Sequence, residues 1–365
     1  MDGSSLIEHW GEPAVLALCG LAVGLGFGFF AQRSRFCLRA AVIEFWHGRF
    51  GEKLAVWLLA FSTAVVVVQA LVAGGWMDIS TARQLSARGS LSGAILGGLI
   101  FGFGMVMTRG CASRLLVLSA NGNLRALLSG LIFAVVAQAS IGGMLAPLRE
   151  ILAGWWVVDG GSSRSLLELV GAGPVDGLVF GMLWLVTAGF FAWYSGWSVW
   201  KWAGGIGTGL MVALAWYGTH WVMSNSFEPV QIQGLTFSGP SAEWLMRVLA
   251  EPGEPWTFGL GLMPGVFLGS LAGALLGRDW KLEGFGGGYT MPRYIIGAVL
   301  MGFGSMLAGG CAVGAGMTGG AIFAVTAWLI LGGMWVGGGL ADRLLDHRPQ
   351  AQPDATPRAG LGTAP

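Results

Sequence analysis

Three of the four cysteines follow apolar, glycine-rich segments. Cys111 ends the segment ILGGLIFGFGMVMTRGC, and Cys311 ends the related segment IIGAVLMGFGSMLAGGC. Cys37 lies in the arginine-rich turn QRSRFCLR. A thiol is a weak hydrogen-bond partner and a thiolate is a nucleophile, so these residues predict either weak contacts with a small solute or covalent sulfur chemistry. Cys19, inside an apolar run, is expected to pack as a small hydrophobic residue.

The cysteines lack the spacings that are typical of a resident metal or redox cofactor. The sequence contains no CxxC or CxxCH motif and no cluster of cysteine with histidine. Zinc, haem and dithiol-redox sites therefore have no support, and we expect no cofactor and no metal.

Arginines surround two of the three cysteines. Arg39 follows Cys37, and Arg109 and Arg114 bracket Cys111. For any single arginine, ordinary basic decoration of a cytoplasmic loop is a sufficient explanation. The collective pattern instead favours attraction of an anion. None of the nineteen carboxylates falls deep in an apolar run, whereas proton and cation carriers usually need such groups.

The composition indicates a polytopic membrane protein. Apolar residues make up 54% of the chain and charged residues 11%, with a mean hydropathy of +0.68. The net charge of +1 and the scattered basic residues exclude a nucleic-acid partner. The N-terminus has no basic residue before the first apolar run, which is therefore expected to be a retained helix rather than a cleaved signal peptide.

Apolar runs predict nine membrane spans. Their approximate bounds are 13–31, 54–75, 90–107, 124–145, 174–194, 201–222, 257–276, 290–308 and 318–340. With the N-terminus outside, fifteen Lys and Arg residues fall on the inside and five on the outside, so the positive-inside rule favours a cytoplasmic C-terminus. The five outside residues are Arg83, Arg88, Arg149, Arg164 and Arg247.

Under this topology the repeated motif occurs in opposite orientations. We therefore predict an all-α inverted-repeat bundle with short re-entrant helices, in one membrane domain over 1–340. The first repeat covers about 13–145, a linking helix about 174–194 and the second repeat about 201–340. A match of residues 130–135 with 320–325 suggests that the second repeat is ten residues shorter after its cysteine.

Glycine, at 64 residues, is expected mostly to let helices pack closely. Beside the cysteines it has a second interpretation. Gly110 and the pair Gly309 and Gly310 are predicted to allow chain reversal inside the protein.

Three motifs resemble the YeeE/YedE family of sulfur-transport proteins. They are GFGFFAQRSRFCLRA (26–40), GFGMVMTRGCASR (102–114) and GFGSMLAGGCAVG (302–314), within a similar organisation over about 13–340. The resemblance implies thiosulfate uptake across a bacterial inner membrane through an hourglass-shaped fold. It also implies that the ion passes between Cys37, Cys111 and Cys311 by weak S–H hydrogen bonds, without a stable covalent adduct and without enzymatic activity. A cytoplasmic TusA-like sulfurtransferase is the implied partner, beside membrane lipid.

The chain departs from the family pattern at two places. Arg109 in TRGCASR adds a charge where the second copy reads AGGCAVG. The tail over 341–365 is rich in alanine and proline, which predicts disorder and no fused sulfurtransferase domain.

Several alternatives stay open at this point. A membrane-embedded sulfurtransferase or thiol oxidoreductase would take sulfane sulfur covalently on a cysteine, and an assembly subunit would not need the thiols. Sulfite, sulfide or a selenium compound could replace thiosulfate. Residues 225–254 predict an outer loop with a short amphipathic helix, either interfacial or a lid. His220 is expected to be a hydrogen-bonded interfacial histidine, with anion binding as the alternative.

Overall fold

The computed structural model describes residues 3–194, 198–226, 230–249, 255–285 and 291–346. It confirms the all-α prediction. Within these residues the strands are limited to β1 (Gly89–Ser90) and β2 (Val157–Val158), which pair antiparallel. The helices are α1 (Gly3–Trp10), α2 (Glu12–Ser34), α3 (Leu38–Trp46), α4 (Glu52–Ala73), α5 (Arg83–Ser86), α6 (Leu91–Met107), α7 (Ala112–Ala120), α8 (Leu124–Gly142), α9 (Ala146–Gly154), α10 (Leu166–Leu169), α11 (Pro174–Tyr194), α12 (Val199–Asn225), α13 (Ser238–Leu249), α14 (Phe258–Gly277), α15 (Met291–Ala308) and α16 (Val325–Leu345). A 3₁₀ turn (Ser162–Arg164) precedes α10, and a π-helical segment (Ala312–Gly319) lies between α15 and α16.

Eight helical segments of the described chain are long and apolar enough to cross a membrane, one fewer than the sequence predicts. The exception is α12, whose 27 residues would extend about 40 Å but include many glycines and tryptophans. It packs against α2 and α4, and several of its glycines are buried there. Its other face exposes Ile206, Leu210 and Leu214, so α12 packs against helices on one side and is apolar on the other.

Glycine governs the closest helix contacts, as predicted. A Cβ atom on Gly24 of α2 would lie 2.5 Å from the backbone oxygen of Leu262 in α14, and one on Gly102 of α6 would lie 2.4 Å from that of Met334 in α16. Non-bonded contacts of real Cβ atoms are essentially never this short. The two helix pairs can therefore approach this closely only because these positions carry no side chain.

The two copies of the repeated motif run in opposite directions. Gly97 of α6 lies against Ala308 of α15, and Gly104 of α6 lies against Gly297 of α15, so the two helices are antiparallel. The same relation holds for α2 and α12, in which Gly204 lies against Ser34 and Gly218 against Cys19. If α2 corresponds to α12 and α4 to α14, two halves related by an approximate twofold axis should show equivalent contacts. The contact of α2 with α14 is matched in this way by the contact of α12 with α4.

The prediction that the second repeat is ten residues shorter is wrong. Helix α8 begins at Leu124, close behind Cys111, and α16 begins at Val325, at nearly the same distance behind Cys311. The last span therefore starts at 325 rather than 318, because 312–319 form the π-helical segment instead. The predicted tail also starts too early, since α16 continues through Leu345 with Asp342 buried. The rest of the tail lies outside the described residues.

Polar contacts gather at two opposite ends of the helix bundle. At one end Lys201 pairs with Glu52 at 2.6 Å and Arg293 with Asp346 at 2.7 Å. We call this the basic end, since most Lys and Arg residues lie there. At the opposite end Nε2 of His220 accepts a hydrogen bond from the backbone N–H of Asp78 at 3.2 Å. His220 is thus hydrogen-bonded, as expected.

The predicted outer loop penetrates into this second end. Its helix α13 packs on α8 and α14, and the extended residues before α13 bury Ile232, Leu235 and Phe237 completely. Thr236, between them, packs directly against the π-helical segment. The segment before α13 is therefore part of the protein core, whereas α13 itself exposes Met246, Val248 and Leu249. Residues 227–229 and 250–254 of this loop lie outside the described part of the chain.

Candidate functional site

Cys37, Cys111 and Cys311 occupy the same local structure. A long helix ends, the residue two positions before the cysteine takes a left-handed backbone conformation, and the cysteine, in an extended conformation, starts a short helical segment. The left-handed residues have φ values of 54° at Arg35, 59° at Arg109 and 82° at Gly309. The similarity therefore extends to Cys37, although its preceding segment is the most divergent in sequence.

Arg109, and not Gly110, makes the reversal before Cys111. A left-handed conformation costs about 1–2 kcal/mol for a residue with a Cβ atom and nothing for glycine. Gly110 does not have a positive φ, and a Cβ atom there would lie at an ordinary distance of 3.5 Å from Arg114. Neither its backbone conformation nor its surroundings therefore require glycine. Gly309 does carry the positive φ, as predicted, while a Cβ atom on its neighbour Gly310 would lie 3.0 Å from the backbone nitrogen of Ala315.

Each cysteine therefore stands at the positive end of a helical segment. These segments are α3, α7 and the π-helical segment. The first N–H groups of a helix have no partner within it, and the helix dipole places partial positive charge there. Helix starts are consequently suited to bind anions. At Cys311 the thiol already accepts a hydrogen bond from one such group, the N–H of Gly314, at 3.4 Å.

All three thiols are free and buried inside the protein. The exposed fraction is 9% for Cys37 and 1% for both Cys111 and Cys311. The thiols of Cys37 and Cys111 lie close enough to each other for electrostatic interaction, and we call them the thiol pair. Cys311 is not part of that pair, but the segment that it starts packs against α7, which Cys111 starts. Cys19 is half-buried and lies at the contact of α2 with Gly218 of α12, away from the others.

The arginines beside the thiol pair differ in their surroundings. Arg114 is half-buried and close enough to both Cys37 and Cys111 for electrostatic interaction, and its Nη1 has no hydrogen-bond partner. Arg39 is mostly buried and lies 3.9 Å from Asp346, while Arg109 is exposed at its turn. A partly unsatisfied cation therefore lies next to the thiol pair.

Asp346 is a carboxylate of this region that the sequence reasoning did not identify. Its Oδ1 and Oδ2 atoms accept hydrogen bonds from Nη1 and Nη2 of Arg293 at 2.7 and 3.1 Å. The Arg293 guanidinium holds the pKa of this carboxyl below its usual range. Asp346 thereby balances part of the positive charge at the basic end. Its position directly after α16 was assigned to the tail by composition alone.

At the opposite end two adjoining cavities, of about 570 and 340 Å³, lead toward Cys311. Both are lined by Thr236, Met306 and Gly309, and the smaller also by Gly314, so they reach the residues that flank Cys311. Every one of the five arginines assigned to the outside by sequence lines one or both cavities: Arg83, Arg88, Arg149, Arg164 and Arg247. Glu243 is the one carboxylate among the described lining residues.

This cluster of arginines was missed because its members are far apart in the sequence. Arg83 and Arg247 are separated by four long helices, α6, α8, α11 and α12, and no motif joins them. The fold brings them together because α5, α9, the 3₁₀ turn and α13, which carry four of them, surround one opening. Among the residues that the structure describes, no group of three or more His, Cys, Asp or Glu side chains could hold a metal ion.

Known proteins are similar in sequence to this chain over most of its length. Over 332 residues the chain is 28% identical to a thiosulfate transporter, TsuA, of Spirochaeta thermophila, a match that covers 85% of this chain and 93% of that protein. Over 368 residues it is 26% identical to the thiosulfate transporter TsuA of Escherichia coli, covering 92% and 96%. A family model described as sulphur transport matches residues 33–340, which include all three buried cysteines. The chain therefore belongs to the sulphur transport family, to which its three motifs assigned it as a YeeE/YedE-like protein.

Proposed function

We propose that the protein takes up thiosulfate across the inner membrane of a bacterium, with the N-terminus outside and the basic end in the cytoplasm. Two relatives over nearly the full length are thiosulfate transporters. The observation that carries the proposal is the placement of three buried, free thiols at the starts of three short helical segments. The two repeats over about 13–145 and 201–340 then form the two halves of one path.

In this proposal the ion travels from the arginine-lined cavities to Cys311 and then to the pair of Cys37 and Cys111. At each stage the unpaired N–H groups of a helix start stabilise its charge. The thiol adds a weak S–H hydrogen bond to a sulfur or oxygen atom of the ion. Weak contacts suit transport, because a solute must leave each position as readily as it arrives. Arg114 provides the net positive charge that keeps the dianion at the thiol pair.

The remaining predicted residues have supporting roles. Gly309 allows the reversal that places Cys311 at its helix start, and Gly310 keeps room for the backbone at Ala315. Gly110 lies between the turn at Arg109 and Cys111, and the proposal does not require glycine at this position. Arg39 and Arg109, near Asp346, receive the ion at the basic end. A cytoplasmic sulfurtransferase that resembles TusA would accept the sulfur after release.

A covalent function is the second candidate, and one observation favours it. Cys37 and Cys111 lie close together, and a neighbouring thiol can stabilise a thiolate by donating its S–H. Such a thiolate could attack the outer sulfur of thiosulfate, forming a persulfide on the cysteine and releasing sulfite. Sulfur would then enter the cell bound to protein rather than as the intact ion.

Uptake by proteoliposomes decides between the two functions. We expect wild-type protein to accumulate thiosulfate labelled on either of its two sulfur atoms at equal rates, since the intact ion crosses. Cys37→Ser, Cys111→Ser and Cys311→Ser should each lower the uptake rate by tenfold or more, because each removes one thiol from a serial path. Cys19→Ser is the matched control and should retain the wild-type rate.

Mass spectrometry of the protein after uptake completes the test. A persulfide on Cys37 or Cys111 that forms at the rate of uptake, together with sulfite outside the vesicles, would replace the transport proposal by the covalent one. Wild-type rates in all three serine variants would contradict both candidates and leave an assembly role.

A further inference from the structure

Arg164 is a buried cation without a carboxylate partner among the residues described. Its side chain lies in the 3₁₀ turn before α10, and only 5% of the residue is exposed. Nη1 donates to the backbone oxygen of Ala87 at 2.7 Å and Nη2 to Oγ1 of Thr326 at 2.9 Å, whereas Nε has no partner. A guanidinium has five N–H donors, so three of them are unused.

Burying the Arg164 charge without a described carboxylate partner costs free energy of folding, which calls for an explanation. Burial of a charge without a counter-ion is strongly unfavourable, and buried charges in proteins are normally paired. Burial also lowers the pKa of Arg164, but an arginine stays charged at any physiological pH. A neutral side chain could donate the same two hydrogen bonds to Ala87 and Thr326. The surplus positive charge therefore indicates an anion that is bound there in the working protein.

The surroundings of Arg164 share its excess of positive charge. It lines the smaller cavity, of about 340 Å³, together with Arg83, Arg88 and Arg149. Arg88 is neutralised by Asp159 at 2.9 Å, and both of those side chains are exposed. Arg149 has only a 3.3 Å contact with the exposed Glu150, and its buried Nε has no partner. Arg83 has no ion pair with a described carboxylate.

The same cavity adjoins the first thiol of the proposed path. Gly309 and Gly314, which flank Cys311, line it, as does Thr326, the hydrogen-bond partner of Arg164. An anion held by Arg164 would therefore occupy the same cavity that reaches the helix start at Cys311. The planar guanidinium fork matches two oxygens of a small oxyanion, which no thiol can do.

We propose that Arg164, with Arg149 and Arg83, forms a binding site for a small divalent oxyanion at the outer approach to Cys311. The inference rests on the proposed thiosulfate uptake. It divides the recognition of thiosulfate between two places in the protein. The arginine site selects charge and oxygen geometry, and the thiols select the sulfur that sulfate lacks. Sulfate should therefore occupy the arginine site and inhibit uptake without being transported.

Uptake kinetics with sulfate as the competitor test this assignment. For wild-type proteoliposomes we measure the KM for thiosulfate, the maximal rate and the inhibition constant of sulfate. Arg164→Gln should raise both the KM and the sulfate inhibition constant by about tenfold or more, the factor that corresponds to loss of one charged hydrogen bond. The maximal rate should remain, because the thiols are intact. Arg164→Lys should recover part of the loss, since it restores the charge without the fork.

Arg88→Gln is the matched control, because Arg88 lines the same cavity but is already paired. It should leave both constants within about twofold of wild type. A lower maximal rate of Arg164→Gln with an unchanged KM and inhibition constant would show that Arg164 only supports the loop, which overturns the proposal. If Arg164→Gln does not fold, Arg83→Gln/Arg149→Gln decides: unchanged constants in this double variant also overturn it.

A binding measurement separates this site from the proposed function. Sulfate should raise the thermal midpoint of purified wild-type protein above that in sodium chloride of equal ionic strength, and Arg164→Gln should abolish the difference. A wild-type protein that takes up no thiosulfate but shows this shift would contradict the proposed uptake and keep the site. Uptake without any sulfate-specific shift or inhibition would keep the function and overturn the site.

Discussion

Gly314 provides a local test of how the structure around Cys311 is held in place. A Cβ atom at this position would lie 2.3 Å from Oγ1 and 2.7 Å from Cβ of Thr236. Ordinary contacts between such atoms are about 3.5 Å or longer. Gly314→Ala must therefore displace the extended segment before α13, or the π-helical segment, by about 1 Å. Both are buried.

The expected cost follows from this displacement. Insertion of one methyl group into a packed core destabilises by about 1–3 kcal/mol, and the methyl group has no other space here. We expect Gly314→Ala to lower the thermal midpoint of the purified protein. It should also lower the uptake rate by severalfold, because Gly314 donates its N–H to Cys311 and lines the adjoining cavity.

Two further variants make the test specific. Gly332→Ala in α16 adds the same methyl group where no atom lies within 4 Å, and should leave stability and uptake unchanged or slightly raise stability. Thr236→Gly, added to Gly314→Ala, removes the colliding atoms and should restore part of the lost uptake. If Gly314→Ala has the stability and uptake of Gly332→Ala, the packing between these two segments is not as described.

Three other predictions concern the rest of the fold. Arg109→Gly should stabilise the protein by roughly 1 kcal/mol, since glycine adopts the left-handed conformation without cost. Gly110→Ala should leave the stability unchanged, and thermal unfolding of both variants tests the two expectations. Gly102→Val should abolish folded protein in detergent, measured by size-exclusion chromatography, because its side chain would collide with the backbone of α16. Asp346→Asn should lower stability by less than about 1 kcal/mol at neutral pH, since the pair with Arg293 is partly exposed. The pKa of Asp346 is lowered in the folded state, so its contribution is present above the unfolded pKa and is lost as pH falls through the folded pKa; the difference between variant and wild type should disappear in acid.

The features that sequence predicted best are those that depend on residues close in the chain. Helix α11 was predicted with the observed bounds, because one uninterrupted apolar run is a local signal. The contacts of Gly24 and Gly102 followed from glycines four apart on one helix face. The opposite directions of α6 and α15 followed from counting spans between two copies of a motif.

The errors arose where a local signal had two interpretations. Glycine is the usual left-handed residue, which pointed to Gly110, but the preceding Arg109 takes this conformation instead. The similarity of residues 320–325 to 130–135 placed a loop in register with the middle of α8, because glycine-rich apolar sequence recurs by chance. The arginines at the outer cavities had no local signal, since only tertiary packing brings Arg83 and Arg164 together.

Protection of the cysteines from alkylation tests the central claim most directly. Purified protein is treated with a small maleimide, with and without thiosulfate, and modification of each cysteine is followed by mass spectrometry. If the ion contacts the thiols in turn, thiosulfate should slow modification of Cys37, Cys111 and Cys311. Sulfate should slow modification of Cys311 only, because it occupies the outer approach to that thiol but does not pass along the path. Cys19, outside the path, should react at the same rate throughout. Equal rates at the three buried cysteines with and without thiosulfate would contradict the account.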